Sequence, residues 1–181
     1  MTLLATERVY TGRIISLDLD TVRYPNGVTG TLEMFRHPGA AAILPMLDAV
    51  DAPDPRVILI RQFRHATGDY CWEIPAGRRD RGEAPDATAH RELREETGYT
   101  CDDLRPLTLI WTTPGFTDEV IHLYLATGLT PGPAALEADE VLETHLLHWS
   151  EVLRMVASGA ITDAKTLTAI LYTSALIRHG N

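Results

Sequence analysis

Apolar residues recur along the first part of the chain with the period of two that a half-buried strand requires. From Arg13 to Tyr24, RIISLDLDTVRY alternates at Ile15, Leu17, Leu19 and Thr21, which predicts one buried face, and Pro25-Asn26-Gly27 turns the chain. Thr31 to Arg36 alternates again until His37-Pro38-Gly39 ends the run. The spacing predicts an antiparallel hairpin. Two continuous apolar runs follow, Ala40 to Leu47 and Val57 to Arg61, separated by DAPDP. Continuity of this kind predicts strands covered on both faces.

Later strands are predicted at Tyr70 to Ile74, Leu107 to Thr113, Val120 to Ala126 and Thr144 to Trp149. Between the third and fourth of these, Pro131-Gly132-Pro133 opens an acidic loop with Glu137, Asp139, Glu140 and Glu143. Ser150 can cap a short helix that stops at Gly159. Thr162 or Asp163 can cap a longer one reaching about His179, with Leu167, Ile170, Leu171 and Ile177 at helical spacing. Strands followed by isolated helices, without regular βαβ alternation, favour an α+β sandwich with helices on either side of a mixed sheet.

The period changes after Gly77. Asp86 can cap a helix from about Ala87 to Thr97, and Gly98 stands where a left-handed residue stops one. At about 100° per residue, Thr88, Glu92, Glu95 and Glu96 share one side, beside a narrow apolar stripe of Ala89 and Leu93. Such an acidic face is commonly a solvated surface in which arginines pair weakly with glutamates. Crowded carboxylates also repel one another and call for a counter-ion. Hard oxygen donors with nothing softer nearby suit Mg²⁺ or Mn²⁺.

With 181 residues and 45% hydrophobic content, the chain can bury one ordinary core. A net charge of −9 and the lack of any Lys/Arg cluster argue against a nucleic-acid surface. No run has the apolar length of a membrane span, and MTLLATERVY does not read as a secretion signal, so a cytoplasmic location is expected. Cys71 and Cys101 are isolated and read as reduced thiols. His145 and His148 would point to opposite faces of a strand, which sets aside a zinc site.

Gly77, Glu83, Arg91-Glu92-Leu93, Glu95-Glu96 and Gly98-Tyr99 have a fixed spacing. They resemble the Nudix box, GX5EX7REUXEEXGU with U apolar, at every specified position. The resemblance implies the Nudix fold, an α/β/α sandwich, with the residues from 40 to 181 as the hydrolase domain and residues 1–39 as extra N-terminal strands, an element suited to dimerisation. Arg61-Gln62-Phe63-Arg64, Trp72-Glu73-Ile74-Pro75-Ala76-Gly77 and Thr113-Pro114-Gly115-Phe116-Thr117-Asp118-Glu119 are similar to the RQxR, ExPAG and SPGxxxE segments of the ADP-ribose pyrophosphatases in that family, with Thr113 where serine is commoner.

That resemblance implies Mg²⁺-dependent cleavage of ADP-ribose to AMP and ribose 5-phosphate, with Mn²⁺ as an alternative and two or more ions per site. Glu92 and Glu96 would bind metal with the carbonyl oxygen of Ala76, and Glu95 or Glu83 would assist or pair with Arg91. Arg64 would contact the diphosphate, Glu119 the terminal ribose within the loop of Gly115, and Glu33 and Glu73 the adenine side, with Glu33 supplied across a homodimer. Glu140 is the chosen late-loop acid that completes the metal and base arrangement, with Glu137, Asp139 and Glu143 as rivals. Another nucleoside diphosphate sugar, such as GDP-mannose, is the alternative substrate. A nucleotide sensor that does not catalyse is a further alternative, disfavoured because every box acid is present.

Overall fold

The computed structural model describes residues 1–136 and 141–178. Strands β1 (Thr2–Thr11), β2 (Ser16–Arg23) and β3 (Thr29–Arg36) form an antiparallel sheet in that order. Strands β4 (Ala40–Pro45), β5 (Arg56–Arg64), β6 (Asp69–Glu73) and β7 (Ala76–Arg78) lead to helix α1 (Pro85–Thr97). After it come β8 (Tyr99–Trp111), β9 (Val120–Pro131), β10 (Leu142–His148), α2 (Trp149–Ser158) and α3 (Ala164–Thr173), the last continued by a π-helical turn at Ser174–Arg178. The central sheet has the order β7-β4-β9-β8 and is mixed, since β4 and β9 run parallel and the other pairs antiparallel. A third sheet, β10-β5-β6, is antiparallel. None of the described helices is long and apolar enough to cross a membrane.

Strand β4 is buried along its whole length, as the continuous apolar run predicted. Successive side chains alternate across a strand, so Ala40, Ala42 and Leu44 enter a core with Trp149 and Val152 of α2 and Ala169 and Ile170 of α3. Ala41 and Ile43 enter a second core with Ala89 and Leu93 of α1. The sheet is thereby covered by helices on both faces, the expected sandwich. The other buried residues of α1 are Thr88, Glu92, Glu96 and Thr97. Burial of a leucine contributes about 2 kcal/mol, so Leu93 holds the helix down and its polar face depends on specific bonds for its place.

Several local expectations are corrected. Helix α1 begins at Pro85, because a proline suits the first turn where its missing N–H is not needed, and Asp86 lies inside that turn instead of capping it. Ser150 does not cap α2; it lies in the first turn, where its backbone N–H and hydroxyl both donate to the Asp54 carboxylate at 2.8 and 3.0 Å. Of the two candidates for α3, Asp163 is the cap. The buried stripe of α3 runs through Lys165, Thr166, Ala169, Ile170 and Thr173, while Leu171 is exposed. Strand β8 starts at Tyr99, eight residues before the expected Leu107. The proline within it, Pro106, sits at an irregularity of the pairing on an edge strand, where no ladder donor is required.

The N-terminal element differs most. It has three strands, because β1 adds to the predicted hairpin, and β1 is exposed throughout and so shows no alternation. In β2 the buried residues are Asp18, Asp20 and Val22, and the expected face of Leu17, Leu19 and Thr21 is only half-buried. Arginines explain the inversion. Arg36 of β3 donates to Asp18 at 3.0 Å and also pairs with Asp20, and Arg8 of β1 pairs with Asp18. These contacts hold the Asp18 carboxyl below its ordinary range, the Arg8 hydrogen bond contributing most.

Arg36 also reaches Asp118 at 3.5 Å, and Asp118 accepts the His37 N–H at 2.8 Å. Phe35 exchanges backbone bonds with Phe116 and Asp118. The loop between β8 and β9 is therefore fastened to the N-terminal sheet. Replacing Arg36 with Met leaves two buried carboxylates short of a cation, although Arg8 remains on Asp18 and solvent screens the rest. The variant is expected to unfold at a lower urea midpoint than wild type, and an unchanged midpoint would remove Arg36 as a fastener of the sheet.

Candidate active site

Helix α1 presents its carboxylates to a cleft of about 360 Å³, lined among others by Gln62, Arg64, Ala76, Gly77, Arg91, Glu92 and Glu95. A β-carbon at residue 77 would meet the Glu92 carboxylate, so glycine there lets that carboxylate lie against the strand where it does. The strand β7 backbone and the acid are therefore in direct contact. Glu96, 3% exposed, accepts the Ala76 N–H at 2.9 Å, so β7 is also tied to the next turn of the helix.

Arg91 stands among the acids. It donates to Glu83 at 3.0 and 3.1 Å, to Glu92 at 2.6 Å and to Glu95 at 3.0 Å, and it bonds the Arg78 carbonyl at 3.0 Å. Its own pKa is raised, chiefly by the bonds to Glu83. Glu83 also accepts from the Thr88 hydroxyl at 2.8 Å and from the Asp80 N–H at 3.0 Å, which folds the loop back onto the helix. The Arg91 bonds, ahead of the backbone and threonine bonds and against some desolvation, bring its pKa from 4.5 to about 2.

Across the cleft, Arg64 ends β5 and donates through Nε and Nη2 to both oxygens of Glu73, at 2.7 and 2.8 Å. Glu73 is 2% exposed at the end of β6 and is also bonded by Lys165 of α3. Both oxygens of Glu73 are thus engaged by cations behind the cleft. Burial, the largest single influence, would raise the Glu73 pKa, but the Arg64 bonds and Lys165 together keep it lowered. Gln62 was not foreseen as a cleft residue; its side-chain oxygen is enclosed and has no hydrogen-bond partner among the described residues.

The remaining predicted residues are more dispersed. Glu119 accepts from the Thr112 hydroxyl at 2.9 Å and lies 3.4 Å from Nδ1 of His37. Gly115 borders a separate hollow with Leu3, Met34 and Arg36 of the N-terminal sheet. Glu33 is exposed on β3 and is not among the residues lining the acidic cleft. Glu143 turns toward His145 at 3.3 Å and Arg61 at 4.0 Å. Glu137, Asp139 and Glu140 lie outside the described residues. The chain on either side of them is attached to the end of α1, with the Ala135 N–H on the Glu95 carbonyl at 2.9 Å and the Thr144 hydroxyl on that of Glu96 at 3.3 Å.

A half-buried acidic helix face, a glycine cradle and an arginine on the opposite wall define a hydrolase-like site for a phosphorylated ligand. The chain matches the NUDIX domain family over residues 36–169. It is 39% identical to the ADP-ribose pyrophosphatase of Bacillus subtilis over 93% of this chain and 90% of that protein. It is also 39% identical to the methanol dehydrogenase activator of Bacillus methanolicus, over 92% of this chain and 89% of that protein. A crystal structure described as an ADP compounds hydrolase shares the fold, with a TM-score of 0.82 and 22% identity over 98% of this chain and 94% of the other. This chain belongs to the Nudix hydrolase family.

Nudix hydrolases use divalent metal ions, and the carboxylates of α1 are oxygen donors of the kind such an ion takes, with Glu92 lying against Gly77 and Glu96 oriented by the Ala76 N–H. Among the described residues no three acid, histidine or cysteine side chains are grouped so as to hold a metal ion. Arg91 meets Glu83, Glu92 and Glu95 and offsets part of their charge, leaving the cluster negative.

Because Glu83 has a folded pKa of about 2 against 4.5 ordinarily, its contribution to stability is complete above about pH 4.5 and is lost as pH falls from there toward 2. Glu83→Gln is therefore expected to flatten the acid limb of a melting-temperature profile. An unchanged slope between pH 4.5 and 2.5 would remove the Arg91–Glu83 pairing as its cause.

Proposed function

We propose that the protein hydrolyses the diphosphate bond of ADP-ribose, giving AMP and ribose 5-phosphate. The observation that carries this reading is the cleft that joins Arg64 to the acids of α1, in a chain similar over nearly its whole length to an ADP-ribose pyrophosphatase. Arg64 would bind the diphosphate. Its guanidinium is two-fifths exposed although one side of it is locked on Glu73, so it is oriented before substrate arrives.

Glu92 and Glu96, with the carbonyl oxygen of Ala76, would hold Mg²⁺, for which Mn²⁺ can substitute, and Glu95 would assist. Bound there, the ions lower the pKa of water and neutralise phosphoryl charge. The water oxygen forms a bond to one phosphorus while the bond from that phosphorus to the bridging oxygen breaks, and the electron pair leaves with the departing phosphate. The water's proton passes to an acid of the late loop. Glu140 is proposed for that role, supported by the attachment of the flanking chain to the Glu95 and Glu96 carbonyls. Charge grows on the phosphoryl oxygens as the bond breaks, so Arg64 stabilises the transition state more than the resting diphosphate.

The proposed working unit is a homodimer in the cytoplasm. Its support is the N-terminal sheet, which leaves Leu3, Leu4, Val9 and Tyr10 exposed along β1 and presents Glu33 away from its own cleft. Light scattering is expected to give twice the 20.0 kDa chain mass, and a monomer mass would remove the cross-subunit role of Glu33.

Product analysis over a panel of sugar nucleotides and dinucleotides tests the substrate. AMP from ADP-ribose should be released faster than product from the rest, and faster cleavage of GDP-mannose would overturn the choice. On the preferred substrate Glu96→Gln should lower turnover by about 100-fold or more with the fold retained. Wild-type turnover in that variant at saturating Mg²⁺ would exclude Glu96 as a metal ligand.

A further inference from the structure

We propose that Lys165, at the start of α3, is a positioning residue that keeps Arg64 available to a diphosphate by sharing the charge of Glu73. The inference rests on the reading that Arg64 is the diphosphate-binding group. Lys165 touches nothing in the cleft itself. Its ammonium bonds Glu73 and, at 2.9 Å, Asp163.

The placement of Lys165 is costly in two ways. It is 9% exposed, and a cation in the first turn of a helix opposes the helix dipole. The two acids that its ammonium touches offset these costs. Asp163 is at the same time the cap of α3, accepting from the Thr166 N–H at 3.0 Å and hydroxyl at 2.6 Å. The Thr166 hydroxyl in turn accepts the N–H of Ile74, the residue after Glu73, at 2.9 Å. The helix start thus grips β6 through the Glu73 side chain and through the backbone beside it.

The consequence for Arg64 is electrostatic. Glu73 meets two cations, so Arg64, Lys165, Glu73 and Asp163 together carry no net charge. Without Lys165 the group carries one negative charge beside an acidic cleft, and Glu73 is left with Arg64 as its partner. The guanidinium would then be drawn inward and its attraction for an anion cancelled. With Lys165 present, Arg64 pairs by its Nε and Nη2 edge, and Nη1 has no hydrogen bond among the described residues. That edge is the one a phosphate oxygen can take.

Calorimetric titration with ADP in the presence of Mg²⁺ tests this without needing turnover. Lys165→Met is expected to weaken ADP binding by roughly tenfold or more, and Lys165→Arg, which keeps the charge, to weaken it clearly less. For ADP-ribose hydrolysis the methionine variant should raise KM more than it lowers kcat. Adding Glu73→Gln to Lys165→Met removes the uncompensated anion and should recover part of the lost ADP affinity, a non-additivity that a purely structural lysine would not show. Lys165→Gln gives the same reading if the methionine variant does not fold. The inference is overturned if the arginine and methionine variants bind ADP alike, or if the two substitutions weaken binding additively. Wild-type turnover of ADP-ribose is scored separately: its absence alongside a charge-sensitive ADP affinity would remove the substrate assignment and leave the role of Lys165 standing.

Discussion

Arg91 meets three carboxylates with one guanidinium, two on its own helix and Glu83 in the loop before it, and so ties the acidic face of α1 to that loop. Acids withdrawn from water must be paired or protonated, and this fold meets the demand three times. Arg36, with Arg8, answers Asp18 and Asp20 in the N-terminal sheet. Arg64 and Lys165 answer Glu73 between β6 and α3. In each case the cation comes from a different element than at least one of its acids, so each pairing also locks the tertiary arrangement.

The apolar scaffold makes those pairings geometrically possible. Strand β4 separates two cores, one beneath α2 and α3 and one beneath α1, and it pairs with β7, whose glycine accepts the Glu92 carboxylate. Leu93 and Ala89 provide the apolar anchorage of α1, and Gly98 ends the helix in the left-handed conformation with its N–H on the Arg94 carbonyl. A small apolar stripe with a large polar face gives a helix whose register is set by its hydrogen bonds. That is a suitable property for a surface whose carboxylates must converge on a ligand.

The three charge clusters also differ in place. The α1 cluster supplies oxygen donors, and the Glu73 cluster supplies an oriented guanidinium on the facing wall of the same cleft. The Arg36 cluster lies farther out and fastens the loop of Gly115 and Glu119 to the N-terminal sheet.

Much of this was legible in the sequence because it is local. The Gly77 to Tyr99 spacing, the acidic face of α1, its stop at Gly98 and the doubly buried β4 all follow from residues near one another along the chain, where period and turn chemistry act directly. The N-terminal sheet was not, because alternation places Leu17 and Leu19 on a plausible buried face and says nothing of arginines that arrive from β1 and β3 to neutralise Asp18 and Asp20. Nor could Glu73 be assigned from its segment alone, since the lysine that shares it lies 92 residues away in sequence. The chain by itself determined the family, the acid helix and the central strands; only the tertiary structure decided which carboxylates line the cleft and which are paired by cations from distant elements, because Coulomb pairing depends on distance in space and leaves no period in the sequence.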